Sequence, residues 1–147
     1  GNDTLTGGAQ ADQFVYAGSV AGTLDEITDF SIRQDRFGFG GELGLDSIRF
    51  QNGAVDTLSG DSNVLVLQGG FANAGAAAQA IADNDGVTSE TGVFVYFNVN
   101  LGISRLVHSQ DLGGGGEINV LANLTNQAGE QGLVNLSEFT SANFSLV

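Results

Sequence analysis

Gly1-Asn2-Asp3-Thr4-Leu5-Thr6-Gly7-Gly8-Ala9-Gln10-Ala11-Asp12-Gln13-Phe14-Val15-Tyr16 opens the chain, and its spacing decides how the rest is read. Asp3 and Leu5 are followed nine residues later by Asp12 and Phe14, with Gly7-Gly8 opening the second unit. In a nonapeptide period of this kind glycines turn the chain and offer carbonyl oxygens. The aspartate supplies a carboxylate, and the large apolar residue points inward from a short strand. That division of labour suits calcium, which takes about six to eight oxygens at about 2.3–2.6 Å and accepts backbone carbonyls among them. One turn cannot complete such a shell, so stacked turns are expected to share each ion.

The stretch resembles the last turns of an RTX (repeats-in-toxin, hemolysin-type) β-roll, a family that binds calcium between parallel turns and leaves the cell by type I secretion. The resemblance implies that Asp3 and Asp12 stand at the carboxylate position and Leu5 and Phe14 at the inward apolar position. Gly8 and Gln10 would offer backbone carbonyls, with Gln10 standing where the repeat has its second turn glycine. Next comes Asp25-Glu26-Ile27-Thr28-Asp29-Phe30-Ser31-Ile32-Arg33-Gln34-Asp35-Arg36-Phe37, similar to the D-x-I-x-D-F segment that follows a final RTX turn. By that likeness Asp25, Asp29 and Asp35 are metal ligands, and Ile27, Phe30 and Phe37 seal the apolar end of the roll. The alternative for Asp25 and Asp29 is that they cap turns by accepting backbone amide hydrogens.

Composition narrows the partners. Seventeen acidic residues face four arginines, with no lysine, for a formal charge of −13. A phosphate backbone would be repelled, so nucleic acid is excluded as a partner, and anionic membrane surfaces are disfavoured for the same reason. Cysteine is absent, which rules out disulfides and thiolate metal sites. The longest apolar runs, such as Val93 to Phe97, are strand-length, far short of the roughly 20 residues of a transmembrane segment. With no Met and a start inside a repeat, the chain reads as a fragment of something longer.

Without proline, turns fall to glycine and asparagine, which favours many short strands. Strands are expected at Phe14 to Tyr16, Ser47 to Phe50, Asn63 to Leu67, Gly92 to Val99, Ile103 to His108, Glu117 to Leu121 and Phe144 to Val147. Gly92 to His108 reads as an antiparallel hairpin. Asn73 to Asp83, NAGAAAQAIAD, reads as a helix with Ile81 as its one large apolar anchor, a low-complexity linker being the competing view. Gly113 to Gly116 reads as a turn. The expected fold is mainly β: a short parallel β-roll remnant over residues 1–20, then a β-sandwich-like domain with one helix over 21–147. An α+β description fits if the helix covers one sheet.

Residues 92–147 resemble the tail domains of cyanobacterial secreted and surface proteins, and Phe139 to Val147 resembles an uncleaved C-terminal export signal, though an ordinary final strand accounts for them equally. These likenesses imply a calcium-binding secretion and folding module of a type I-secreted exoprotein, located outside the cell or on its surface, with the type I secretion machinery as a partner during export. The competing function is an adhesion or surface-layer module whose sheet binds cell-surface polysaccharide or a second copy of itself. No catalytic constellation stands out. His108 is the only histidine, Ser109 beside it points to the opposite face of the strand, and no G-x-S-x-G occurs. Asp83-Asn84-Asp85-Gly86 matches the opening of an EF-hand loop, but its glycine comes two places early and Phe94 occupies loop position twelve.

Overall fold

A computed structural model describes all 147 residues. The chain begins by coiling. Strands β1 (Thr4–Leu5) and β2 (Gln13–Tyr16) form a first coil, and β3 (Asp25–Ile27) and β4 (Arg36–Phe39) form a second. The second is laid on the first in parallel, with Thr4 opposite Glu26 and Gln13 opposite Arg36. Leu5, Phe14, Tyr16, Ile27, Phe37 and Phe39 all pack in the same core, as the alternation of a strand buried on one face requires.

The remaining strands are β5 (Phe50–Ala54), β6 (Val64–Phe71), β7 (Gly92–Asn98), β8 (Ile103–Ser109), β9 (Ile118–Ala128) and β10 (Phe144–Leu146), with helices α1 (Ala74–Ala82) and α2 (Gly129–Asn135). They build a seven-stranded mixed sheet in the order β1-β3-β9-β8-β7-β6-β5 and a three-stranded parallel sheet in the order β10-β4-β2. The fold is mainly β. The main core lies between the two sheets, and a smaller one lies under α1 on the far face of the larger sheet. All seven residues of β7 are buried, which is why Val93 to Phe97 reads as a continuous apolar run rather than an alternating one.

Both sheets receive a third parallel rung from late in the sequence. β9 lies beside β3, with Ile27 opposite Leu124. β10 lies beside β4, with Phe37 opposite Phe144. Everything from β5 to β8 is therefore an insertion between the second and third coils.

The expected hairpin is present, pairing Gly92 with Ser109 through to Asn98 with Ile103. The helix is present too: Asn73 Oδ1 accepts the Ala76 amide hydrogen at 2.7 Å, and Ala74, Ala77 and Ile81 face the core. Three expectations need correcting. A second helix, α2, follows β9; its sequence GEQGLVN carries two glycines that conceal it. β9 is 11 residues long, not the five of Glu117 to Leu121. β5 starts at Phe50 because Asn63 intercepts the preceding backbone, accepting the Arg49 amide hydrogen and donating to the Ser47 carbonyl, both at 2.8 Å.

Candidate functional site

The coil register sets aspartate beside aspartate. Asp3 immediately precedes β1 and Asp25 opens β3, so the two are neighbours across the coils. Asp12 and Asp35 immediately precede β2 and β4 and are neighbours likewise. Each second-coil carboxylate hydrogen-bonds the coil below it. The Asp3 amide donates to Asp25 Oδ1 at 3.0 Å and the Asp12 amide to Asp35 Oδ1 at 2.9 Å. Gly7 and Gly8 donate to the two oxygens of Asp29 at 2.9 and 2.8 Å, and Ser31 donates to Asp35 Oδ2 at 2.8 Å.

Asp25, Asp29 and Asp35 thus cap backbone amides, but of a neighbouring coil about 22 residues away rather than of the local turn, apart from the bond from Ser31. Like charges stacked in this way need neutralising, by donors or by a cation. Asp3 and Asp12 contribute no carboxylate oxygen to these amides. Asp3 is exposed, whereas Asp12 Oδ2 is buried without any hydrogen-bond partner. A Cβ on Gly7 would lie 2.7 Å from Asp12 Cγ, so any larger residue there would have to displace the Asp12 side chain.

Gly8, with φ of +108°, and Gln10 lie exposed on the turn between β1 and β2. No three acidic or imidazole side chains converge anywhere in the molecule. Six of the seven expected ligand residues therefore assemble as pairs across two coils, Asp3 with Asp25, Gly8 with Asp29 and Asp12 with Asp35, and not as one carboxylate cage. A cation held here would draw much of its shell from backbone carbonyls, which calcium accepts. The orphaned Asp12 Oδ2 fits such an ion.

Several residues of the site escaped the sequence reading. Asn2 Oδ1 accepts the Leu24 amide hydrogen at 2.9 Å, one place before the Asp3 and Asp25 pair. Asn126 brackets Phe30, accepting its amide hydrogen at 3.1 Å and donating to its carbonyl at 2.9 Å. Thr6 and Thr28 hydroxyls meet at 2.7 Å in the adjacent rung. Tyr16 lies inside the roll, 4% exposed, and its phenol is pushed well above the usual range by burial first and by the Asp25 carboxylate second.

No family model, curated protein or solved structure matches the chain.

Elsewhere the chemistry is sparse. His108 is buried on β8 and its Nε2 lies 2.8 Å from the Leu43 carbonyl, which makes Nε2 the donor. A polar cleft of about 320 Å³ lies between Asp46, Arg49, Asp61 and the segment Thr88 to Thr91. Within it Arg49 Nη1 meets Asp46 Oδ1 at 2.9 Å and Arg49 Nε lies 3.7 Å from Asp61 Oδ2. That pairing holds the Asp46 carboxyl below the usual carboxylate range through the Arg49 hydrogen bond and charge. No helix is long and apolar enough to cross a membrane.

Proposed function

We propose that the opening coils bind calcium and that loading them couples folding to the ion. The observation that carries the reading is the buried, unpartnered Asp12 Oδ2 in a glycine turn whose neighbouring coil stacks Asp35 beside it. A buried carboxylate oxygen without a donor is costly unless a cation or a proton satisfies it. Asp12 is the leading ligand. The carbonyls around Gly8 and Gln10 supply further oxygens, Asp3 and Asp25 form a separate pair ahead of β1 and β3, and Asp29 and Asp35 chiefly hold the turns in shape.

The resemblance to RTX repeats extends this reading to a secretion and folding module of a type I-secreted exoprotein, outside the cell or at its surface. Calcium is scarce in the cytosol and plentiful outside, so the net charge of −13 keeps the chain loose during export and the ion closes it afterwards. At a free-ion concentration a hundredfold above Kd, mass action stabilises the closed form by about 2.7 kcal/mol.

Calorimetric titration with calcium tests the assignment. The parent chain takes up the ion and its melting temperature rises; Asp12→Asn binds about tenfold more weakly, equivalent to about 1.4 kcal/mol. A parent chain that gives no binding heat and no shift in melting temperature in millimolar calcium defeats the proposal.

A further inference from the structure

Asp35 is tied to three parts of the chain at once. Its carboxylate accepts the amide hydrogens of Asp12 and Ser31 at 2.9 and 2.8 Å, and its carbonyl accepts a hydrogen from Asn143 Nδ2 at 2.8 Å. The same Nδ2 donates to the Ile32 carbonyl at 2.7 Å, and Asn143 Oδ1 accepts the Thr140 amide hydrogen at 2.9 Å. Both donor hydrogens of the Asn143 amide are therefore used on the loop that carries Asp35. Asn143 is 3% exposed, so water cannot take its place without the site opening.

The next residue extends the link into the core. Phe144 lies in van der Waals reach of Phe37, Phe39, Phe50 and Phe139, with ring centroids at 5.8, 6.4, 5.6 and 6.1 Å. From Phe37 the rings continue to Phe30 at 4.4 Å and from Phe30 to Phe14 at 5.9 Å. A continuous aromatic path joins β10 to the first coil. Yet β10 is three residues long and sits at the edge of its sheet, held by backbone pairing on one side only. It is the part of the third coil most easily released.

We propose that Asn143 is a positioning residue for the candidate calcium turns and that β10 is the latch on the first two coils. Docked, Asn143 fixes the loop from Ile32 to Asp35; Asp35 then fixes the backbone of Asp12, and with it the unpartnered carboxylate. Released, the Ile32 and Asp35 carbonyls lose their donor, the loop relaxes, and the Asp12 amide loses its acceptor, leaving Asp12 held through its carbonyl to Arg36 at 3.0 Å. Coupling of this kind is reciprocal. An ion on Asp12 therefore tightens β10, whose docking buries Phe139, Asn143 and Phe144. The ion in this account rests on the calcium reading, whereas the mechanical link does not.

Amide hydrogen exchange on the full chain separates the two. In calcium-free buffer, Asn143→Ala should speed exchange of the Asp12 and Ser31 amides at least tenfold while leaving the β7 and β8 hairpin as in the parent. Asn143→Ala should also raise the calcium concentration at half-saturation about tenfold. Phe144→Leu, which trims the ring contacts and keeps an apolar side chain, should act in the same direction more weakly and serves if Asn143→Ala does not fold. Exchange at Asp12 and Ser31 that changes no more than exchange in the hairpin overturns the latch. If the parent binds no calcium, the functional reading falls, and the calcium-free exchange comparison still decides the mechanical link.

Discussion

The carboxylate of Asp29 accepts the amide hydrogen of Gly7 at 2.9 Å across 22 residues of sequence, joining the closing segment of one coil to the turn of another. Its second oxygen does the same for Gly8 at 2.8 Å. Hydrogen bonds to a charged acceptor contribute more than neutral ones, and Gly7 is only half-buried, so water recovers part of the loss when they are removed. Asp29→Ala should cost about 1.5 kcal/mol in urea unfolding. Asp29→Asn, which keeps one acceptor oxygen, should cost less. Equal stability of parent and Asp29→Ala would show that the Gly7 and Gly8 amides are satisfied by solvent.

Gly132 offers a test in which the usual sign reverses. In a helix interior Gly→Ala ordinarily stabilises by about 0.5–1 kcal/mol. Here a Cβ would lie 2.5 Å from the Gln127 carbonyl oxygen, a backbone atom that cannot turn aside. Gly132→Ala should therefore destabilise, by about 1–3 kcal/mol as overpacking generally does. A raised melting temperature would mean that α2 does not pack as closely on the end of β9 as described.

Helix α1 depends on one large side chain. Ile81 is fully buried in the smaller core, while its helical neighbours are alanine, glycine and glutamine. Ile81→Ala should cost about 3 kcal/mol, within the range for emptying a buried aliphatic site. Alanine elsewhere in α1 carries the helical propensity unchanged, so the loss should appear in chemical unfolding and not in the peptide's intrinsic helicity. A cost below about 1 kcal/mol would place α1 outside the cooperative unit.

The Asp46 and Arg49 pair gives a pH signature. Arg49 lowers the folded-state value of Asp46 below the unfolded one, so its contribution is present above the ordinary aspartate range and lost as pH falls through the folded value. The stability difference between the parent and Asp46→Asn should thus be present at neutral pH and vanish in acid. Because the pair is exposed to solvent, the difference should be small and shrink further in high salt. A difference independent of both pH and salt would assign the effect to the hydrogen bonds of Asp46 with its neighbours instead.

Much of the local chemistry was legible in the sequence. The nine-residue spacing of Leu5 with Phe14, with the Gly7-Gly8 turn between them, marks the first coil, because a turn and an inward apolar residue are each demanded by local geometry. The hairpin at Gly92 to His108 and the helix around Ile81 were legible for the same reason: both are made by contacts within a short stretch. Neither α2, whose glycines mask it until Leu133 and Leu136 meet the core, nor the full length of β9 announces itself locally.

Tertiary structure alone decided who lies beside whom. Phe144 opposite Phe37, Ala122 opposite Asp25 and Asn143 under Asp35 are matters of register between segments about a hundred residues apart. A parallel pairing carries no hairpin turn to announce it, and any of several apolar strands satisfies the alternation equally well. The sequence determined that the chain coils, carries its carboxylates at the turns and buries its aromatics. Only packing determined that the last strand closes the first coils, because burial is a property of neighbours and not of the residue itself.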